Sequence, residues 1–395
     1  MIDRRYSSLL EHNRQYFPAL VLTGARQVGK TTLLQDLFSD YNYVSLDIPS
    51  VSRMAETRPK DFFEKYKLPL IIDEVQYAPE LFRYLKVIID ADRHNMGRLI
   101  LTGSQKFVLM ENVSESLAGR CAIMELENLS CNEIQAHDGS RNEKEIMYRG
   151  QFPELWRIPD FPEKTFYKSY LSTYLERDVR QIINVPNLYD FEKFIRLLAV
   201  QSGQMLNKAE LAKAVGVSAS TIQNWISVLE ASNQITLLQP WFSNFGKRIV
   251  KSPKIYFNDS GFLCYILNVE SESLSTSPFL GAIWEAFVFA ELRKLNALLD
   301  QPLNIWYYRD QRGREIDFFL EGKGRISLLE CKWKEIAGKD DLKHINVIHK
   351  EINESSSPWQ TGNHYVLCNT EAEYSISDSC LATNLQSVAR LLAKH

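Results

Sequence analysis

Apolar positions along the chain follow two periods. Continuous apolar stretches lie within 19–23 (ALVLT), 68–72 (LPLII) and 98–102 (RLILT). Stretches this short, closed by glycine or acids, predict strands buried on both faces, as in a parallel sheet. Elsewhere apolar residues recur three and four apart, at 31–38, 164–179, 189–199, 206–217 and 218–230. That spacing predicts amphipathic helices, with Ser218 placed to cap the last of them. Strand-like runs return at 234–240 and 254–257. A serine-rich break at 270–278 is followed by a helical stretch at 281–292 and strand-like stretches at 304–309, 315–320 and 326–333. The order predicts a multidomain α/β chain divided at 1–160, 161–202, 203–270 and 271–395.

The segment GARQVGKT at 24–31 lies between a buried strand and a helix. That context supports reading its G-x-x-x-x-G-K-[ST] spacing as a P-loop. Gly24 and Gly29 allow backbone angles that aim successive N–H groups inward, and the helix N-terminus adds its dipole to this anion nest. The predicted ATP contacts are Gly24, Ala25, Arg26, Gln27, Val28, Gly29, Lys30, Thr31 and Thr32, with Lys30 reaching the β- and γ-phosphates and Thr31 ligating Mg²⁺. The strand at 68–72 ends in Asp73 and Glu74. Asp73 is expected to hold the metal through water and Glu74 to polarise the attacking water. An extra strand, 98–104, is expected between this strand and the P-loop strand. It brings Thr102, Ser104 and Gln105 near the γ-phosphate, one of them as a polar sensor; ordinary turn chemistry is the other reading. Arg120, in SLAGR, either reaches a phosphate or lies on the surface.

Composition narrows the partners. The 395 residues carry 46 basic and 49 acidic side chains, a formal charge of −3, so no global field draws in nucleic acid and any contact must be local. The six cysteines form no CxxC pair and sit mostly in apolar stretches, which suits reduced thiols and a cytoplasmic location. The N-terminus lacks an apolar leader core, and no run approaches the ~18 apolar residues of a membrane span.

The unit at 203–270 has the order of a winged helix-turn-helix. Its second helix carries no Lys or Arg between Ser218 and Ala231. Basic residues fall instead in the wing, at Lys247, Arg248, Lys251 and Lys254. DNA contact through the wing and protein docking both remain open. In the last segment, Glu330 and Lys332 are two apart on one strand and therefore share a face. Asp317 is expected opposite them, and Glu285 lies on the preceding helix. This set resembles the PD-(D/E)XK nuclease fold. The resemblance implies that Glu285, Asp317 and Glu330 hold Mg²⁺ and that Lys332 positions water, with Asp317, Glu330 and Lys332 catalytic. The same fold also serves as an inert binding platform.

The motifs GARQVGKTTLL, LIIDEVQYAPELF, LILTGSQ, SLAGR, YRGQFPELW and YLERDV occur in this order over nearly the whole chain. Together they resemble a large group of bacterial and archaeal AAA-type ATPases, in which a P-loop domain precedes a C-terminal domain of unknown function. The resemblance implies an ATP- and Mg²⁺-dependent ATPase, with Lys30 and Glu74 catalytic. The preferred expectation is action on nucleic acid, with cleavage as a further possibility. The alternatives are an ATP-gated switch that docks protein partners through a silent nuclease fold, and a homo-oligomeric remodelling ring.

Overall fold

The computed structural model describes residues 2–104, 109, 113, 115–174, 188–241, 252–354 and 359–394. The chain forms two compact units. The first comprises Met1–Leu129, Phe152–Arg157 and Ala231–Asn233; the second comprises Ser130–Gln151, Ile158–Glu230 and Gln234–His395.

The first unit is built on a five-stranded sheet of β1 (Ala19–Thr23), β2 (Asn42–Ser45), β3 (Leu70–Asp73), β4 (Leu99–Thr102) and β5 (Cys121–Glu125), in the order β2-β3-β4-β1-β5. All its pairings are parallel. As expected, β4 lies between β1 and β3. Every residue of β1, β3 and β4 is buried, which explains their unbroken apolar character. The helix Leu81–Ala91 contributes Leu81, Phe82, Leu85 and Ile89 to one core with Leu70, Ile72, Leu99 and Leu101. Three parallel strands thus end together at Thr23, Asp73 and Thr102. Crevices at such carboxyl ends are where open α/β sheets bind ligands.

In the second unit, helices Lys208–Val215 and Ala219–Ala231 are joined through Gly216, whose φ of 93° places it in the left-handed region that ends the first helix. Ser218 caps the second helix by accepting the Thr221 N–H at 3.1 Å. Strands β6 (Ile235–Leu238) and β7 (Lys254–Phe257) pair antiparallel. Of the expected wing, Lys247, Arg248 and Lys251 lie outside the described residues, as do Arg177 and Asp178 of YLERDV. Lys254 is described, and it corrects an expectation. It is 1% exposed, so it offers no cation to a DNA backbone.

The same unit holds a mixed sheet of β8 (Asn304–Arg309), β9 (Glu315–Gly322), β10 (Arg325–Cys331), β11 (Gln360–Thr361), β12 (His364–Leu367), β13 (Tyr374–Ser377) and β14 (Cys380–Thr383). Its order is β13-β14-β12-β10-β9-β8, with β11 beside β10. The helix Lys343–Glu354 buries Ile345, Ile348 and Ile352, spaced three and four apart, in a core with Phe319, Leu328 and Val366. All six cysteines are free thiols, four buried and two, Cys121 and Cys331, partly exposed. Among the described residues no helix is long and apolar enough to cross a membrane.

A histidine pair pins this helix to the sheet. The Leu328 N–H donates to His364 Nδ1 at 3.1 Å, so the neutral ring carries its proton on Nε2, which faces His349 Nδ1 at 2.7 Å. Burial, and after it the neighbouring His349, push His364 down to about 3. An unfolded chain titrates this group at about 6.5 and so binds more protons between the two values. Stability is therefore present above about pH 6.5 and is lost as pH falls towards 3. Denaturant unfolding of the parent is expected to lose more stability between pH 8 and pH 5 than a His364→Leu variant, by about 2 kcal/mol. Equal losses in the two chains would contradict the assignment.

Candidate functional site

The loop after β1 has its shape set by backbone constraints. Gly24 has φ 145°, Gln27 has φ 64° and Gly29 has φ 88°. At Gly24 a Cβ would come within 2.2 Å of the Leu126 carbonyl oxygen, so only glycine fits. Gly29 stands at the N-terminus of the helix Lys30–Leu37, whose first N–H groups face away from the helix body. Lys30 is 7% exposed, and its ammonium donates to the carbonyls of Gly24 at 2.9 Å and Ala25 at 2.8 Å. The cation therefore lies within the ring of the loop. Val28 is buried and Thr32 exposed. Arg4, which the sequence did not single out, donates to the Val28 carbonyl at 2.9 Å and the Glu127 carbonyl at 2.7 Å. It braces the loop from the N-terminal segment. An arginine so early in a polar stretch carries no motif, so nothing in the sequence pointed to it.

Parallel register brings the next strand end alongside. Asp73 Oδ2 accepts the hydroxyl of Thr31 at 2.7 Å and that of Tyr43 at 2.8 Å, while Oδ1 accepts the Glu74 N–H at 3.0 Å. Burial, and then the charge of Asp73, push the Tyr43 phenol up, so it remains a donor. Glu74 has φ 54° and ψ 45°, a left-handed conformation that is strained for a residue with a side chain. Its Oε2 accepts from the Ser104 N–H at 3.2 Å, the Ser104 hydroxyl at 3.1 Å and the Gln76 amide. Gln76 is 5% exposed, and a Cβ at Gly103 would come within 2.2 Å of its Oε1. That close approach explains the glycine between Thr102 and Ser104. Thr102 is fully buried, with no partner for its hydroxyl among the described residues. Gln105 lies outside the described residues.

The donor chemistry here suits Mg²⁺. A hydroxyl and a carboxylate, both hard oxygens, meet at 2.7 Å where the loop joins the strand end. Thr31 would ligate the ion, with Asp73 behind it. Arg120 is directed elsewhere: its guanidinium forms two hydrogen bonds with Asp90, at 2.7 and 2.9 Å.

The second unit gathers the other predicted set. The β9–β10 register pairs Phe318 with Leu329, which sets Asp317 opposite Glu330. Asp317 Oδ2 accepts the Cys331 N–H at 2.8 Å, and Lys332 lies 2.7 Å from Glu330 Oε2. Glu285, on the helix Leu280–Asn296, accepts from the Tyr256 hydroxyl at 2.6 Å and the Lys254 ammonium at 3.1 Å. Burial, and then the charge of Asp317, push both Glu285 and Glu330 up. Lys254 and Tyr256 are two apart on β7, which accounts for their shared face. Lys254 Nζ also lies 2.5 Å from Glu315 and 3.8 Å from Asp317. Burial opposes its charge, but these carboxylates outweigh burial and raise its pKa. The acids are therefore assembled, yet a lysine stands among them. Among the described residues no three His, Cys, Asp or Glu side chains are disposed to hold a metal ion. As arranged here, Glu285, Asp317 and Glu330 do not fit a divalent ion.

Comparison with known proteins finds three family matches along the chain. Residues 16–135 match the AAA domain family, 140–273 a domain of unknown function (DUF8612) and 280–388 another (DUF4143). The AAA match spans the loop, β3 and β4, and it supports ATP binding there. The Walker-type ATPase PABY2304 of Pyrococcus abyssi is 15% identical, with 67% of this chain and 96% of that chain covered and a TM-score of 0.46. Two uncharacterized proteins, of Mycobacterium tuberculosis and Mycobacterium bovis, are each 33% identical over 340 residues, covering 84% of this chain and 74% of theirs. Identity at this level over most of both lengths places the chain in one family with these two mycobacterial proteins, and its N-terminal region is an AAA-type P-loop domain.

Proposed function

We propose that the protein is an ATP-hydrolysing switch. The observation that carries this reading is the junction at Asp73, which ties the P-loop threonine to the strand end while Glu74 is held beside it by Ser104 and Gln76. The loop amides and Lys30 would bind the phosphates. Mg²⁺, held by Thr31 with Asp73 behind it, would neutralise charge on the phosphate oxygens. Glu74 accepts a proton from the attacking water as its oxygen bonds to the γ-phosphorus. The bond between that phosphorus and the bridging oxygen breaks, and ADP leaves with the electron pair. Ser104 and Gln76 position the Glu74 carboxylate.

Two readings of what this switch drives follow from the second unit. The order of the helix pair, β6 and β7 supports a winged-helix reading. The set Glu285, Asp317, Glu330 and Lys332 supports a PD-(D/E)XK-like reading of the sheet β8–β14. Together they suggest action on nucleic acid, with the C-terminal region cutting phosphodiester bonds. The buried ammonium of Lys254 favours the other reading, in which these parts form a docking platform for protein partners and do not cleave.

Glu74→Gln is expected to lower ATP turnover by about 10²–10⁴-fold, with ATP affinity changed by less than about threefold. Turnover equal to the parent in a phosphate-release assay would remove Glu74 from the mechanism. For the second unit, fluorescence anisotropy with duplex DNA is expected to show no binding tighter than ~10⁻⁴ M at physiological salt, with or without ATP. Tighter binding that weakens steeply as salt rises would restore the nucleic-acid reading.

A further inference from the structure

We infer that a tyrosine-lined cavity among three helices of the second unit binds a primary alkylammonium, with Glu270 at its rim as the counterion. The cavity shares no residue with the ATP site.

The helices Glu143–Arg149, Glu163–Tyr174 and Ser260–Ile266 line a cavity of about 200 Å³. A single water needs only about 10–15 Å³, so the space admits an organic group. Its floor is set before any ligand arrives. Tyr167 is 1% exposed, and its hydroxyl donates to Asp259 Oδ1 at 2.8 Å. At Gly261 a Cβ would come within 2.4 Å of that hydroxyl, so only glycine leaves room for the tyrosine. Tyr265 stacks on Tyr167 with ring centroids 6.0 Å apart, and Tyr148 supplies a third ring. After the last helix the Val269 N–H donates to the Cys264 carbonyl at 3.0 Å, a turn that brings Glu270 to the cavity.

Charge selects a cation. The charged side chains of the lining are Glu163, Glu270 and Lys164. Glu163 lies 3.4 Å from Arg149, whose guanidinium also donates to the Pro159 and Phe161 carbonyls. Glu270 pairs with Lys164, and both side chains are well exposed, 49% and 62%. Water screens such a pair, so an outside cation can replace the lysine. Lys164 stays at the rim and does not fill the cavity. Burial, and then the charges of Glu163 and Glu270, push the Tyr148 phenol up to about 12. Burial, and then the charge of Asp259, push the Cys264 thiol up as well. Neutral tyrosines and a neutral thiol thus lie below an acidic rim. An anion would meet two carboxylates there. A molecule that matches is apolar along its stem and positive at one end. The side chain already seated on Glu270 has that chemistry: a lysine stem ends in a primary ammonium, and tyrosine rings favour both parts.

Saturation-transfer nuclear magnetic resonance on the full chain without nucleotide tests this, with n-butylammonium as the probe and n-butanol as its uncharged counterpart. The parent is expected to bind n-butylammonium with a Kd on the order of 10⁻³ M, and n-butanol at least about fivefold more weakly. Lys164→Gln removes the competing ammonium and is expected to tighten n-butylammonium binding by about threefold or more. Glu270→Gln removes the counterion and is expected to weaken it by about fivefold or more. Both replaced side chains face solvent, so the fold is kept. No transfer to n-butylammonium in either the parent or Lys164→Gln overturns the proposal. Equal binding of the two probes also overturns it, since the cavity would then select apolar groups and not a cation. Binding unchanged in Glu270→Gln overturns it too, by placing the probe elsewhere.

Discussion

One carboxylate holds the N-terminal site together. Asp73 receives Thr31 and Tyr43 on one oxygen and the Glu74 N–H on the other. Three segments meet there: the start of the P-loop helix, the edge strand β2 and the turn that follows β3. The strain of a left-handed glutamate, of order 1–3 kcal/mol, persists because Asp73, Ser104 and Gln76 fix that turn from several sides. The loop itself is over-determined in the same way. Gly24 is pressed against the Leu126 carbonyl, and Arg4 holds the Val28 carbonyl. Phosphate-binding amides are useful only when their directions are set before the ligand arrives.

The two charged centres use opposite designs. At the loop, Lys30 donates to two backbone carbonyl oxygens, beside helix N–H groups that suit an anionic ligand. In the C-terminal cluster each cation faces a carboxylate. Lys254 meets Glu285, Glu315 and Asp317, Lys332 meets Glu330, and Arg309 meets Glu315. A cluster matched internally gains little from an outside ion, and removing one member leaves a buried charge uncompensated. The second centre therefore reads as a closed one.

The legibility of the sequence follows the same physics. Strands β1, β3 and β4 are buried on both faces, so their apolar runs were plain, and with them came Lys30, Thr31, Asp73 and Glu74. The edge strands β2 and β5 are half exposed, as Asn42 and Tyr43 on β2 and Ile123 on β5 show. Their patterns are short and mixed, and Tyr43 went unnoticed with them. Gln76 acts through a side-chain bond across a turn, which no periodicity reports. In the sequence Lys254 reads as a surface cation, because lysine is seldom buried. Only the three-dimensional meeting of β7, the helix Leu280–Asn296 and β9 supplies the acids that make its burial tolerable. The signal that could have flagged it was its place two residues before Tyr256 in an otherwise apolar strand. The His349–His364 pair is likewise invisible in one dimension, since its partners are fifteen residues apart on a helix and a strand.

The measurement that tests the account most directly is the effect of Mg²⁺ on ATP affinity in the parent and in Asp73→Asn, read by calorimetric titration. If Asp73 joins the loop to the metal, Mg²⁺ tightens ATP binding in the parent by about tenfold or more, and the amide variant loses most of that gain while still binding metal-free ATP. An equal gain in both chains would contradict the central place given to Asp73.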